Sequence, residues 1–506
     1  MLTPLLTLPP WLYRADALRA IEQAAARTLP PGTLMQRAGA AAATWIACRW
    51  PQARTVAVLC GPGNNGGDGY VCATELRRLG RTVHCVALAP PASSDAIRAA
   101  QAWHDSGGRT HPLPASLDGA DLCVDALFGI GLTRPLGSAA RAAVDAMRAC
   151  GAPIVALDVP SGLSADSGAW VGDVPGVHAV ATLSFLGAKP GLLTGTGVEA
   201  CGELVIDTLG VELPSAPGRM VTPADFAAVL QPRVRDSHKG RFGNLWVVGG
   251  APGMVGAALL AGRAGLRFGA GRVYVAPLDG SLTFDPGMPE LMVRAPAALA
   301  EDPDAVAVIG CGLGTGDAAR AALAAVLSRP SACVLDADAL NLIAADVALR
   351  RLATQRRGPT VLTPHPLEAG RLLGSTVAQV QADRVTAAQA LASTLNAWTV
   401  LKGAGSVIAA PRMDMAADGP ADEARYWINP TGSPALATAG TGDVLAGMLG
   451  ALLAQSYAPA DAVRAAVWLH GRAADEARVD IGLVASDIAP RAAAALARLR
   501  TETAAR

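Results

Sequence analysis

Short apolar, β-branched runs recur along the chain, and polar or glycine-rich loops follow most of them. In the first half these runs are Thr55–Cys60 (TVAVLC), Val83–Leu88, Asp121–Leu127, Ile154–Leu157, Ala179–Phe185 and Leu204–Ile206. Apolar runs this short, bounded by turn residues, predict buried strands. Between them, Tyr13–Ala26 and Thr33–Cys48 read as amphipathic helices and Tyr70–Leu79 as a further helix. The second half repeats the arrangement. Its strand-like runs are Asn244–Val248, Arg272–Ala276, Val306–Ile309, Cys333–Leu335, Thr360–Leu362 and Thr399–Leu401. A longer apolar run of helical length, Val444–Ala454, comes after them. Alternating strands and helices predict an α/β fold of two three-layer α/β/α domains, residues 1–212 and 222–506. Residues 211–222 are Pro-rich and aperiodic, and 213–221 read as a linker.

Length agrees, because 506 residues exceed one ordinary core. With 51% hydrophobic and 17% charged residues, the chain can bury large cores. The 42 basic and 42 acidic side chains balance, which argues against nucleic-acid or membrane-surface binding as its main business. The N-terminal MLTPLLTLPPWLYRAD lacks a basic start and a long apolar core, so no secretory leader is expected, and no uncharged run is long enough to span a bilayer. Nine cysteines with no CxxC pair fit a reduced cytoplasm and no structural zinc. One bias stands out. Only three of the 42 basic residues are lysines, Lys189, Lys239 and Lys402, each in a glycine-rich stretch, where lysine and arginine are not interchangeable.

The loops carry the chemistry. Thr55–Cys60 runs into GPGNNGGDG (Gly61–Gly69), a strand–loop–helix arrangement able to wrap backbone N–H groups around a phosphate, although it matches neither GxGxxG nor the Walker pattern. Asn65, Asp125, Asp158 and Ser161 gather at successive strand C-termini, the edge where open parallel sheets bind ligands. Oxygen donors there suit a hard cation, and a lone carboxylate suits proton shuttling. In the second half, Gly440-Thr441-Gly442-Asp443 opens the long apolar run. Asp443 is expected to N-cap that helix, beside an anion site at its positive end.

GPGNNGGDG, VDALFGIG and DVPSGL, with TLMQRAG upstream and KPG downstream, resemble the NAD(P)H-hydrate epimerase domain. That resemblance implies a Rossmann-like N-terminal domain. Its substrate contacts would be Asn64, Asn65, Gly66, Gly67, Asp68, Gly129, Ile130, Gly131, Leu132, Thr133, Arg134, Pro135 and Asp158. It also implies potassium on Asn65, Asp125 and Ser161, with Asp158 as the acid/base. HKGRFG, GCGLG, LDADALN, TPHPLE, LKGAGS and GTGDVLAG resemble the ADP-dependent NAD(P)H-hydrate dehydratase of the ribokinase-like superfamily. Lys402, Gly403, Ala404, Gly405, Ser406 and Gly442 would then contact the adenine nucleotide. Ala257, Gly312, His365 and Asp443 would contact the hydrated cofactor, with Asp443 as catalytic base. His238 and Lys239 rank below these. Departures from the pattern are Cys311 in place of a proline, Ser406 in place of a threonine, and Ser433 and Ala435-Leu436 before the GTGD turn.

The implied activity is repair of hydrated NADH and NADPH: epimerisation of the R and S hydrates, then ADP- and Mg²⁺-dependent dehydration of the S form. A homo-oligomer is the expected assembly. Two other readings stay open: a ribokinase-like small-molecule kinase with a dinucleotide-binding accessory domain, and an N-terminal domain that binds dinucleotide without catalysis.

Overall fold

The computed structural model describes residues 3–4, 10–113, 116–411 and 425–504. Residues 1–2 and 5–9 of the stretch searched for a leader lie outside them. The chain forms two compact units, one ending at Arg219 and the other beginning at Met220.

The first unit is built on β1 (Thr55–Cys60), β2 (Thr82–Ala87), β3 (Thr110–Pro112), β4 (Leu122–Ala126), β5 (Ile154–Leu157), β6 (Ala181–Phe185) and β7 (Glu203–Asp207). They lie in the order β7-β6-β5-β4-β1-β2-β3, all parallel, with Thr3–Pro4 antiparallel outside β7. Every residue of β4, β5 and β6 is buried, so both sheet faces are covered. The helices used below are α1 (Ala15–Ala26), α2 (Thr33–Arg49), α3 (Asn64–Arg78) and α4 (Ser94–Asp105). Strand order reverses between β1 and β4, which opens a crevice at their C-terminal ends.

The second unit carries β8 (Asn244–Gly249), β9 (Arg272–Pro277), β10 (Met292–Val293), β11 (Val306–Ile309), β12 (Cys333–Leu335), β13 (Thr360–Leu362), β14 (Trp398–Leu401), β15 (Val407–Ala409) and β16 (Tyr426–Ile428). Their order is β10-β9-β8-β11-β12-β13-β14-β15-β16, parallel as far as β14 and antiparallel beyond it. The switch point lies between β8 and β11. Its helices include α5 (Val255–Arg267), α6 (Ala337–Ala345), α7 (Pro366–Leu373), α8 (Arg384–Leu395), α9 (Thr441–Ala454) and α10 (Pro459–Ala477). From Val444 to Ala454 every residue of α9 is buried, as befits a helix that is apolar all round. It lies so close to α5 that a Cβ on Gly447 would stand 2.0 Å from the Ala261 carbonyl oxygen.

Three expectations need correction. The helix after β1 starts at Asn64, not Tyr70, so most of GPGNNGGDG is helical rather than a phosphate-wrapping loop. Its glycines are needed for packing: a Cβ on Gly66 would meet the Gly61 carbonyl oxygen at 1.8 Å, and one on Gly67 would meet the Met35 side chain at 2.4 Å. Asp443 is not the N-cap of α9. Gly440 occupies that position at φ 90°, and Asp443 stands within the first turn, making no capping bond. The stretch read as a linker contains a strand, Gly218–Met220, too short for periodicity to reveal. No helix among the described residues is long and apolar enough to cross a membrane.

Candidate functional sites

In the first unit a cavity of about 780 Å³ opens at the β1/β4 crevice. Asn64, Asn65, Asp68, Gly129, Ile130, Gly131, Leu132 and Asp158 line it, as do Glu22 and Lys189. Asp158 follows β5 at φ 66°, a left-handed conformation that costs a non-glycine residue about 1 kcal/mol. Several bonds hold it there. Its Oδ2 accepts the Ile130 N–H (3.1 Å), its Oδ1 accepts the Lys189 ammonium (2.7 Å), and its carbonyl accepts the Ser184 hydroxyl (2.8 Å). Lys189 is 1% exposed and also donates to Ser184 Oγ and to the Phe185 carbonyl. Burial pulls its ammonium below the usual lysine range, and Asp158 opposes that pull. Asp68 is pushed well above the usual carboxylate range by burial, then by the charges of Asp158 and Glu22.

Asp125, at the end of β4, is fully buried. Its carboxylate accepts the Ser161 hydroxyl at 2.6 Å, the Ser161 N–H at 2.7 Å and the Leu127 N–H at 3.1 Å. Burial raises its pKa to about 6. Asn65 is 8% exposed, yet neither its amide oxygen nor its amide nitrogen has a hydrogen-bond partner. A buried amide does not stay unpaired without cost, so Asn65 is set up to meet a ligand. Gly66 and Gly67 are buried within α3, and Thr133, Arg134 and Pro135 are exposed. None of the five lines the cavity.

In the second unit the loops after β11, β12, β13 and β14 converge on the start of α9. Lys402 Nζ stands 2.8 Å from Asp336 Oδ1, which also accepts the Thr363 hydroxyl at 2.8 Å. A Cβ on Gly442 would lie 3.2 Å from that ammonium, so Gly442 leaves the space beside Lys402 open. Burial works against the charge on Lys402, but Asp336 and Glu368 lift it above the usual lysine range. Cys311 Sγ and the carboxylates of Asp336 and Asp443 lie within 4.8 Å of one another. Asp443 is raised to about 6 by burial and by the charge of Asp336. The Cys311 thiol is held protonated by burial and by both aspartates, with a hydrogen bond to Asp443.

Ala257 and Gly312 face each other: a Cβ on Gly312 would stand 3.1 Å from that of Ala257. His365 caps α7, its Nδ1 accepting the Leu367 N–H at 3.0 Å, and Glu368 accepts the His365 N–H in return at 2.8 Å. Burial and nearby Lys402 pull its imidazole below the usual histidine range. The Lys402–Ser406 turn is closed by Ser406 Oγ donating to the Gly403 carbonyl at 3.1 Å.

Sequence reasoning missed several participants. Arg384, 1% exposed, donates to the Leu401 and Lys402 carbonyls and so supports the Lys402–Ser406 turn from beneath. His470 holds the start of α9 through the Thr441 carbonyl at 2.9 Å. Neither left a local signal. The rarity of lysine did point to Lys189 and Lys402, both ion-paired to an aspartate, whereas Lys239 is exposed.

Each unit thus holds a carboxylate-centred site at a sheet switch point, and together they define a two-site α/β enzyme. A family profile described as YjeF-related protein N-terminus matches residues 31–191, and one described as NAD(P)H-hydrate dehydratase matches 245–496. The chain is 37% identical to the bifunctional NAD(P)H-hydrate repair enzyme Nnr of Coxiella burnetii, over 95% of this chain and 98% of that one. It is 39% identical to the Escherichia coli protein of the same name, over 93% and 90%. A solved ADP/ATP-dependent NAD(P)H-hydrate dehydratase from Bacillus subtilis, co-crystallised with ATP and Mg²⁺, is 31% identical. It covers 57% of this chain and 99% of its own, with a TM-score of 0.46. The chain belongs to the family of bifunctional NAD(P)H-hydrate repair enzymes.

Proposed function

We propose that residues 1–212 interconvert the R and S hydrates of NADH and NADPH, and that residues 222–506 dehydrate the S form at the expense of ADP. The observation that carries this reading is that each unit has its own aspartate, Asp158 or Asp443, at the ligand-binding edge of its sheet beside an ion-paired lysine.

In the second unit Asp443 takes the proton of the ring hydroxyl. A carboxylate raised to about 6 is still largely ionised at neutral pH and is a stronger base than an ordinary one. The hydroxyl oxygen attacks the β-phosphoryl group of ADP and AMP leaves. Hydroxide is a poor leaving group and phosphate a good one, so loss of phosphate then restores the dihydropyridine. Lys402, Gly403, Ala404, Gly405, Ser406 and Gly442 are the assigned nucleotide contacts, and Ala257, Gly312 and His365 the assigned contacts of the hydrated ring. Mg²⁺ would travel with ADP and neutralise phosphate charge, with Asp336 and Asp443 the nearby hard donors. The protonated Cys311 thiol suits hydrogen bonding to Asp443 rather than Mg²⁺ ligation.

In the first unit the substrate contacts are assigned to the cavity-lining members of the set above. Asn65, Asp125 and Ser161 fit a hard monovalent cation such as potassium. Asn65 has an unused buried amide oxygen, and Asp125 Oδ2, which accepts the Ser161 N–H alone, keeps acceptor capacity. The ion would fix the Asn65 and Ser161 backbones around the ligand. A reducing, cytoplasmic setting suits nine free cysteines.

The test is to incubate the protein with mixed R and S hydrates of NADH, ADP, Mg²⁺ and K⁺, following reduced-nicotinamide absorbance and AMP. Recovery of both epimers with equimolar AMP supports the reading. A stall after the S form removes the epimerase assignment. Accumulation of a stable phosphorylated product instead would mark a small-molecule kinase.

A further inference from the structure

The first-unit cavity holds one acidic residue on a helix that carries none of the motifs. Glu22 lies on α1 and lines the same cavity as Asp158, Asn64, Asn65 and Lys189. Its carboxyl group shares a hydrogen bond with the Asn64 side chain. The amide of Asn65 next along α3 is more than nine-tenths buried, unpartnered, and part of the same lining. Beyond the amide oxygen assigned to the cation, the Asn65 amide nitrogen is left to meet a ligand in the cavity that Glu22 and Asp158 both line. Resting on the repair reading above, we propose that Glu22 is a second catalytic acid–base residue of the epimerisation, working opposite Asp158.

The chemistry calls for a proton donor and a proton acceptor, which two groups can supply at once. Hydration of a dihydropyridine enamine places the hydroxyl on the carbon bonded to ring nitrogen, giving a carbinolamine. Ion-paired Asp158 accepts the hydroxyl proton. The O–H electron pair becomes the π bond of an aldehyde, and the C–N bond breaks with its pair returning to nitrogen. Protonated Glu22 delivers a proton to that nitrogen. Rotation about the C–C bond to the aldehyde then presents its other face. Nitrogen attacks, Glu22 recovers its proton and Asp158 returns one to oxygen. No atom is gained or lost and no oxidant is needed. With acid and base on separate residues, protonation of nitrogen and removal of the hydroxyl proton can proceed together.

The electrostatics suit the division of labour. Burial, then the negative charge of Asp158, raises Glu22 above the usual carboxylate range, which favours the proton-donating form. The other charged groups lining the cavity are Arg19 of its own helix, Asp68 of α3, Asp95 of α4 (ion-paired to Arg98) and Lys189. Glu22, raised by burial, and Asp158, ion-paired to Lys189, thus give two carboxyl groups in unlike surroundings in one cavity.

The experiment measures R/S interconversion by the full-length wild type, Glu22→Gln and Glu22→Asp, without ADP. In the same samples, ADP-dependent recovery of S hydrate reports on the second unit, and thermal unfolding of each variant against wild type reports that the first unit is folded. Glu22→Gln is expected to lower kcat about 100-fold with KM within about 3-fold, and to lose the high-pH decline of the wild-type profile. Glu22→Asp should restore part of the rate. A Gln variant within 2-fold of wild type, or one that loses only KM, overturns the role of Glu22 and leaves the repair reading intact. A wild type that dehydrates S hydrate but interconverts nothing overturns the epimerase assignment, and the role of Glu22 with it.

Discussion

Lys189 Nζ stands 2.7 Å from Asp158 Oδ1, with the lysine side chain 1% and the aspartate 13% exposed. A pair this enclosed survives because each charge compensates the other. Removing one partner leaves an uncompensated buried charge, which costs about 3–5 kcal/mol. Lys189→Met is therefore expected to destabilise the first unit by about that amount in urea unfolding. Lys189→Met combined with Asp158→Asn should recover much of the loss. Additive destabilisation in the double variant would show that the pair is not coupled.

The glycines within α3 pack closely, whereas Gly63, just before the helix, does not. A Cβ on Gly66 meets the Gly61 carbonyl oxygen at 1.8 Å, whereas one on Gly63 meets nothing within 4 Å. Gly66→Ala should cost about 3 kcal/mol or more, because backbone must move. Gly63→Ala should change stability by less than about 0.5 kcal/mol. Equal effects in thermal unfolding would contradict the placement of this segment in a helix packed against β1.

Asp443 makes the dehydration pH-dependent. Its pKa of about 6 lies above the usual carboxylate range. As base it must be ionised, so kcat/KM should be flat above pH 7 and fall about tenfold per pH unit well below 6. Asp443→Asn should remove that limb and lower kcat by at least about 100-fold. A variant with the wild-type acid limb would assign it to another group.

His470 gives stability a pH dependence of the same sign. It is held near a pKa of about 4 by burial, although the Thr441 carbonyl favours its charged form. Its folded pKa is depressed, so the unfolded chain binds more protons between about pH 6.5 and 4. Stability in that window is lost as pH falls, by up to about 3 kcal/mol. His470→Asn should unfold with a smaller drop between pH 7 and 5 than wild type, and equal drops would exclude this histidine as the cause.

Much of this molecule was legible in its residues. The predicted apolar runs all stand close to strands of the two sheets, while Thr110–Pro112, Met292–Val293, Val407–Ala409 and Tyr426–Ile428 were not predicted, and the polar loops after the predicted runs are the loops that line the two sites. Asp158, Asn65, Asp443 and Lys402 were all marked by local pattern. Where local pattern misled most, packing had overridden propensity. GPGNNGGDG was read as a loop because glycine is a poor helix former, yet here the absence of Cβ atoms lets α3 pack against Gly61, Met35 and β1.

Periodicity, glycine placement and the rarity of lysine are properties of neighbouring residues, so the chain alone determined its two α/β sheets and the loops that carry chemistry. Which groups meet was decided only in the tertiary structure. Glu22 reaches the Asp158 cavity from a helix at the start of the chain. Asp336 meets Lys402 across 66 residues, and Arg384 supports the Lys402 turn from a separate helix. Ion pairing and burial depend on distances set by packing between elements, and a linear pattern carries no record of those distances.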